Sequence, residues 1–385
     1  MSLAETVRST LDGLDEATLD GLRGRSLLLT SEWSAAELEE LLRVARAFEL
    51  LDRSRIPAAL FPNELAYALF FDNSTRTKSS WAGAAARLGS SPVIVDGSST
   101  QVEHGETAEE TGAMLGMNAH AMGIRHDLIL GEGNRFLRAA KQGIDGYLAA
   151  TGDERVVPIV NLQCDIDHPT QTLADLLWLK KRFPDGIAGR KIAVSWAYSP
   201  SYAKPLSVPQ GLITLLTRFG AQVELAHPKG YDLMPETIAQ AHEFARASGG
   251  SFQVTGEMDQ AFQDADVVYP KSWGPFDLML DRVEANRRRD KEGLKEVEKR
   301  ALERNAQHTD WICDERRMQL THQGNALYMH CLPADIGSEV SRGVMEKARL
   351  DVGREANGKV YVIMALLAVA KAKALQEQLL ALVNG

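Results

Sequence analysis

Residues 66–88 read AYALFFDNSTRTKSSWAGAAARL, in which an apolar run passes through a polar turn into a helical pattern. The run Ala66–Phe71 has the length of a buried strand, and Thr77–Leu88 has the periodicity of an amphipathic helix. The same succession of strand and helix recurs along the chain. This alternation predicts an α/β fold with parallel sheets.

Further apolar runs predict strands at Pro92–Val95, Ala121–Ile124, Val156–Asn161, Lys191–Ala197, Gln222–Ala226, Asp266–Tyr269 and Leu327–Cys331. Helical patterns occur at Glu106–Met117, Thr170–Phe183, Pro205–Phe219, Pro235–Ala247 and Gly358–Leu382. Eight strands over 385 residues suit two doubly wound parallel-sheet domains better than one barrel. The segment Pro184-Asp185-Gly186 predicts a hinge between them. We expect one domain at residues 1–183, a second at 184–354, and a C-terminal helical segment, 355–385, that packs back on the first.

The composition is that of a folded globular protein, with 44% apolar and 25% charged residues. These values exclude disordered, collagen-like and disulfide-scaffold classes. The net charge of −9 does not provide the basic surface of a nucleic-acid-binding protein. The three cysteines form no CxxC pair, and neither a signal segment nor a membrane-length apolar run is present. We therefore expect a cytoplasmic protein that binds neither nucleic acid nor membrane.

The turn Ser74-Thr75-Arg76-Thr77 has the composition of an anion site. Backbone N–H groups at a helix start have no partner within the helix, and the helix dipole favours negative charge there. The hydroxyl groups add donors, and the Arg76 guanidinium matches phosphate geometry. A plain polar N-cap is the alternative, but an arginine inside the cap favours phosphate binding.

Three other motifs also follow predicted strands. In His168-Pro169-Thr170-Gln171, the proline suits a first helical turn and places His168 at the cap. Arg125 lies at the end of a strand, where the alternative is a surface ion pair. In His330-Cys331-Leu332-Pro333, no further ligand lies at zinc spacing, and nothing in the sequence shows a base beside Cys331. Gly131-Glu132-Gly133 lacks the third glycine of a dinucleotide-binding loop.

The order of these motifs resembles the aspartate/ornithine carbamoyltransferase superfamily, from about Leu27 to Val369. The stretches STRTKSSWAGAAARLG (74–89) and HPTQTLADLLWLKK (168–181) carry the resemblance. NLQCDIDHPTQ (161–171), SWAYSPSYAKPLSVPQG (195–211) and YMHCLPADI (328–336) look like the YgeW-type knotted branch, whose acceptor is unassigned.

The resemblance implies a carbamoyl-phosphate-binding domain followed by an acceptor domain, a proline-rich knotted loop in the second domain, and a homotrimer. It also implies that Arg125, His168 and Thr77 are catalytic. The implied carbamoyl-phosphate ligands are Ser74, Thr75, Arg76, Thr77, Arg125, His168, Gln171, Cys331, Leu332 and, from the neighbouring subunit, Gln101. No cofactor and no metal are implied.

One departure from the family's sequence pattern bears on the identity of the acceptor. The ornithine branch has an aspartate where this chain has Lys271, and a lysine there would repel a second ammonium. We therefore expect a small amine, amide or ureido substrate rather than ornithine. The candidate acceptor contacts are Lys204, Lys271, Trp273, Cys331 and Leu332. Ordinary packing is an equal alternative for Trp273 and Cys331.

The implied reaction is transfer of the carbamoyl group of carbamoyl phosphate to an amino or amide nitrogen. The same residues would serve phosphorolysis of a ureido compound in the catabolic direction, so the sequence does not decide the direction. Two further hypotheses are a non-catalytic carbamoyl-phosphate-binding protein and a plain nucleotide-binding protein. The first is disfavoured by the retained charged ligands and the second by the missing glycine fingerprint.

Overall fold

The computed structural model describes residues 3–384, which form two parallel β-sheets covered by helices. The strands are β1 (Leu65–Phe70), β2 (Ser91–Asp96), β3 (Ala121–His126), β4 (Ile159–Cys164), β5 (Lys191–Ser195), β6 (Gln222–Ala226), β7 (Ser251–Thr255), β8 (Val267–Pro270) and β9 (Leu327–Tyr328). The first sheet has the order β2-β1-β3-β4, and the second has the order β7-β6-β5-β8-β9. The predicted α/β class with two parallel sheets is confirmed.

The helices of the amino-terminal half are α1 (Leu3–Asp12), α2 (Glu16–Leu22), α3 (Ala35–Arg53), α4 (Thr75–Arg87), α5 (Ala108–Gly116), α6 (Gly133–Thr151) and α7 (Pro169–Arg182). Those of the carboxyl-terminal half are α8 (Ser207–Arg218), α9 (Pro235–Ser248), α10 (Met258–Phe262), α11 (Phe276–Arg287), α12 (Lys291–Asn305), α13 (Glu315–Leu320), α14 (Arg342–Lys371) and α15 (Leu375–Asn384). Within residues 3–384, no helix combines the length and apolar character needed to cross a membrane.

Each strand predicted from the sequence overlaps an observed strand, with shifted ends in several cases. The strand expected at Val156–Asn161 begins three residues later, at Ile159, and the one expected at Leu327–Cys331 ends at Tyr328. The sequence did not predict β7. This strand lies at the edge of its sheet and has only one fully buried residue, so its apolar signal is weak.

The predicted bounds of the C-terminal helix, Gly358–Leu382, were wrong at both ends. One 30-residue helix, α14, begins at Arg342, where the Ser341 hydroxyl accepts a hydrogen bond from the N–H of Val344. It ends before Ala374, whose φ of +49° is incompatible with a continuing helix, and α15 follows. The helix α14 packs against α3, α4 and α7 of the amino-terminal half. The domain boundaries themselves stay a prediction.

Strand register brings distant motifs to one edge of the first sheet. Phe70 at the end of β1 pairs with Arg125 on β3, and Arg125 in turn pairs with Gln163 on β4. The helices α4 and α7 begin just beyond this edge. The carboxyl ends of β5 and β8 face the same gap from the second sheet, which is where open α/β folds bind ligands.

The helices α5 and α6 approach each other closely through glycines. A β-carbon added to Gly143 would lie 1.9 Å from the carbonyl oxygen of Glu109, whereas one added to Gly146 would meet nothing within 4 Å. Both glycines belong to α6, so both would gain helix propensity as alanines. Alanine substitutions at the two positions therefore distinguish the effect of close packing from the effect of helix propensity.

We predict that Gly143→Ala lowers the free energy of unfolding by about 1–3 kcal/mol through overpacking. The control Gly146→Ala should raise it by about 0.5–1 kcal/mol. Urea unfolding followed by circular dichroism measures both. Equal effects of the two substitutions would contradict the close contact.

Candidate active site

The start of α4 forms one wall of a cleft between the two sheets. Ser74 is the N-cap residue, and its Oγ accepts a hydrogen bond from the N–H of Thr77 at 3.2 Å. The other residues at the start of the helix lie beside the cleft, where free N–H groups and the helix dipole favour an anion. The polar N-cap and the anion site, which the sequence offered as alternatives, are therefore compatible.

The cleft holds a cavity of about 70 Å³. Its lining comprises Asn73, Ser74, Arg76, Thr77, Arg125, Gln163, His168, Tyr202, Lys204, Pro205, Val208, Lys271, Cys331, Leu332, Pro333 and Lys359. Nine of these residues were predicted from the sequence as site residues, from both halves of the chain. Thr75 lies outside this lining, in an outer pocket that shares Ser74, Arg76 and Arg125 with it.

Three further predicted residues do not line the cavity. Gln171 is buried behind it, and its Nε2 donates a hydrogen bond to Asp175 Oδ1 at 2.6 Å. Trp273 is fully buried, and its indole N–H donates to the carbonyl of Tyr231, so it has the packing role that the sequence left open. Gln101 is exposed on a short 3-10 helix outside the cavity of its own chain.

Lys359 is a cavity residue that the sequence reasoning missed. It lies on α14, and its Nζ is 3.3 Å from Thr77 Oγ1 and 3.4 Å from His168 Nε2. Burial, together with Arg125 and Arg76, lowers the pKa of Lys359 to about 7. The available signal was a single lysine within an otherwise apolar stretch of the last long helix.

His168 caps α7 and faces this group of cations. Its imidazole is buried, and burial together with Lys359, Arg125 and Arg76 holds the pKa of His168 well below its usual value. The imidazole is therefore neutral at neutral pH. A neutral imidazole can donate one hydrogen bond to a developing negative charge without changing its protonation state.

The two arginines are held by different partners. Arg76 donates a hydrogen bond to the carbonyl of Leu332, which links the two halves of the chain across the cleft. Arg125 pairs with Asp127 at 2.7 Å, so the ion pair offered as the alternative does exist. The pair lies in the cleft rather than on the surface, because Arg125 lines the cavity and Asp127 is buried.

Lys204 and Lys271 lie on the opposite wall, in different electrostatic settings. The Nζ of Lys204 is 2.7 Å from Glu339 Oε2 and 2.9 Å from Asp335 Oδ2, so its charge is compensated. The Nζ of Lys271 donates to the carbonyl of Ser272 at 2.7 Å and, among residues 3–384, has no ion-pair partner. Burial and the neighbouring Lys204 lower the pKa of Lys271 to about 8.

His330 shapes the segment that carries Cys331 and Leu332. Its Nδ1 accepts a hydrogen bond from the N–H of Leu332 at 2.8 Å, and Leu332 has a φ of +53°. His330 Nε2 lies 3.6 Å from Glu339 Oε2. This arrangement turns the carbonyl of Leu332 toward Arg76 and places Cys331 on the cavity wall.

Comparison with known proteins shows the family of the chain. Residues 25–181 match the family model of the aspartate/ornithine carbamoyltransferase carbamoyl-P binding domain, and residues 206–370 match that of the Asp/Orn binding domain. YgeW of Escherichia coli (strain K12), provisionally named a carbamoyltransferase, is 47% identical over 390 residues, covering 98% of each chain. The chain belongs to the aspartate/ornithine carbamoyltransferase family. It is an enzyme of the carbamoyltransferase class.

More distant family members have known acceptors or solved structures. N-acetylornithine carbamoyltransferase of Xanthomonas campestris is 31% identical, covering 89% of this chain and 97% of the relative. A variant N-acetyl-L-ornithine transcarbamylase, solved with carbamyl phosphate and N-succinyl-L-norvaline, superposes with a TM-score of 0.73 at 27% identity, covering 89% and 98%. Ornithine carbamoyltransferase from Pyrococcus furiosus gives a TM-score of 0.72 at 26% identity, covering 91% and 97%.

We predict that Lys359→Met raises the pKa of His168, because a cation that opposes imidazolium formation is removed. The pKa should remain below its usual value, since burial persists. NMR titration of the imidazole signals measures the shift, and Lys373→Met, at an exposed lysine beyond α14, is the matched control. A wild-type His168 that titrates at its ordinary value would contradict this account of the site.

Proposed function

We propose that this carbamoyltransferase transfers the carbamoyl group of carbamoyl phosphate to the amino or amide nitrogen of a small acceptor other than ornithine. The observation that carries the proposal is the asymmetry of the cavity. One wall combines a helix start with Arg76, Arg125 and Lys359, and the opposite wall presents Lys271, which forms no direct ion pair within residues 3–384.

The donor would lie against the start of α4. In this proposal, the amides of residues 74–76 and the guanidinium of Arg76 hold the phosphate group. Thr77, Arg125 and neutral His168 surround the carbamoyl oxygen, and Lys359 adds positive charge behind Thr77 and His168. These groups are fixed before the reaction, so they stabilise charge that develops in the transition state.

In the proposed reaction, the acceptor nitrogen attacks the carbamoyl carbon, and the bond from that carbon to the phosphate oxygen breaks. The departing phosphate carries the electron pair of that bond and can accept the proton lost by the nitrogen. We assign no protein side chain as general base. Closure of the two halves around both substrates would hold them in line and exclude water from the donor.

The charges of the opposite wall favour an acceptor that carries a carboxylate, carbonyl or ureido group. Asp335 and Glu339 both pair with Lys204, so a second ammonium group would have to compete with that lysine for either carboxylate. Lys271 keeps its charge in the cavity at neutral pH and would repel such a group. This electrostatic argument disfavours ornithine as the acceptor.

The same contacts would serve phosphorolysis of a ureido compound to carbamoyl phosphate, so the experiment must include both directions. We further propose a cytoplasmic homotrimer in which Gln101 of a neighbouring subunit completes the cavity. The exposure of Gln101 outside its own cavity supports this assembly. The knotted loop stays a prediction.

The acceptor can be identified by a phosphate-release screen with carbamoyl phosphate and amino acids, diamines, amides and ureido acids. We expect release above the spontaneous rate with acceptors that carry a carboxylate, and a ureido product by mass spectrometry. A parallel screen would add phosphate to ureido acids and assay carbamoyl phosphate. Failure of both screens, with no binding of carbamoyl phosphate by calorimetry, would reject the proposal.

We predict that His168→Ala and Arg125→Ala each lower turnover by about 10²–10³-fold, the usual cost of losing one preorganised oxyanion donor. Arg287→Ala, at an exposed arginine on α11, is the matched control and should leave turnover unchanged. Circular dichroism verifies that each variant is folded. Near-wild-type turnover of either cavity variant would show that its assigned role is wrong.

A further inference from the structure

Two carboxyl side chains meet directly behind the cavity. Asp175 lies on α7 and Glu355 on α14, and neither is exposed to solvent. The helices α7 and α14 pack against each other, and the carboxyl groups of Asp175 and Glu355 interact directly. Because two buried carboxylates would repel each other strongly, a shared proton is the stable arrangement.

Asp175 is the better hydrogen-bond acceptor of the two. Its Oδ1 accepts from the side-chain amide of Gln171 at 2.6 Å, and its Oδ2 accepts from the hydroxyl of Tyr269 at 3.2 Å. Lys359 provides a further favourable charge interaction. Each of these contacts stabilises the anionic form of Asp175.

Glu355 has the opposite environment. Its Oε2 accepts one long hydrogen bond, 3.3 Å, from the main-chain N–H of His330, and among residues 3–384 no donor reaches its Oε1. An oxygen that accepts no hydrogen bond, on a carboxyl group that neighbours a second carboxyl group, is the natural position for the proton. Burial and the adjacent Asp175 raise the pKa of Glu355 well above its usual value.

The partners of the pair belong to both walls of the cavity. Gln171 follows His168 in the first turn of α7, whereas Tyr269 belongs to β8 and His330 immediately precedes Cys331 and Leu332. The charged and titratable groups that face the pair are Lys359, Tyr269, His330 and Cys331. The carboxyl pair is therefore connected to the start of α7 on one side and to the Cys331–Leu332 main chain on the other.

We propose that protonated Glu355 and anionic Asp175 form a positioning pair, joined by one shared proton, that aligns the two walls of the carbamoyl-transfer site. The pair holds Gln171 on the donor side and holds Tyr269 and the His330 main chain on the acceptor side. Its catalytic effect rests on the proposed function, but the position of the proton does not.

The positions of donors and acceptors predict different effects for two isosteric amide substitutions. Glu355→Gln places an NH₂ group where the proton lies and can still donate to Asp175. Asp175→Asn removes an acceptor that three donors use, so at least one buried donor loses its partner. We expect Glu355→Gln to keep kcat/KM for carbamoyl phosphate within a few-fold and Asp175→Asn to lower it by about tenfold or more.

Infrared spectroscopy tests which carboxyl group carries the proton, and the measurement needs no acceptor substrate. A protonated carboxyl group has a distinct C=O stretching band that shifts in heavy water, and Glu355→Gln should remove one such band from the wild-type spectrum. Persistence of every such band in Glu355→Gln would overturn the inference, as would equal loss of activity in the two amide variants. If wild-type protein shows no transfer with any acceptor, the proposed function fails while the infrared result still decides where the proton lies.

Discussion

Positive charge buried without a protein counter-ion is the constraint on which the site depends. Arg76 and Lys359 both lie in the cleft, and neither forms an ion pair within residues 3–384. Desolvated charge is unfavourable unless it is paired, so half-buried Arg76 and buried Lys359 carry an electrostatic cost that a dianion beside them would reduce. Burial and the neighbouring cations together lower the pKa values of Lys359 and His168.

On the acceptor side of the cleft, most of the charged side chains pair with one another. Lys204 pairs with both Glu339 and Asp335, His330 lies beside Glu339, and the two carboxylates also stabilise the charge of Lys271. Two lysines and two carboxylates balance, so this buried network fixes geometry but offers little net charge to a ligand. Lys271 lacks a direct ion-pair partner within residues 3–384 and lines the cavity, which makes it the residue that discriminates among acceptors in our proposal.

The helix α14 shows how a terminal segment contributes to a site at the other end of the chain. It supplies Lys359 to the cavity and Glu355 to the carboxyl pair, although 282 residues separate Lys359 from Thr77. Residues 355 and 359 are one helical turn apart and therefore share a face. Packing of α14 against α4 and α7 is what brings both side chains to the cleft.

Local sequence was sufficient to predict the site residues that lie at strand ends. The Ser74–Thr77 turn, Arg125 and His168 were predicted because a strand that passes into a helix places its junction at the sheet edge. The same reasoning did not separate Gln171 from His168, since a difference of one helical turn decides which side chain faces the cavity. The edge strand β7 was missed because a half-exposed strand lacks a continuous apolar run.

The sequence by itself therefore determined the fold class, the alternation of strands and helices, and the position of the Ser74–Thr77 turn at a helix start. Each of these follows from residues close together in the chain. Only the tertiary structure decided that Lys359 faces the cavity, that Trp273 belongs to the core and that Asp175 meets Glu355. These outcomes depend on the packing of remote elements, and the periodicity of one element does not specify which partner its buried face will contact.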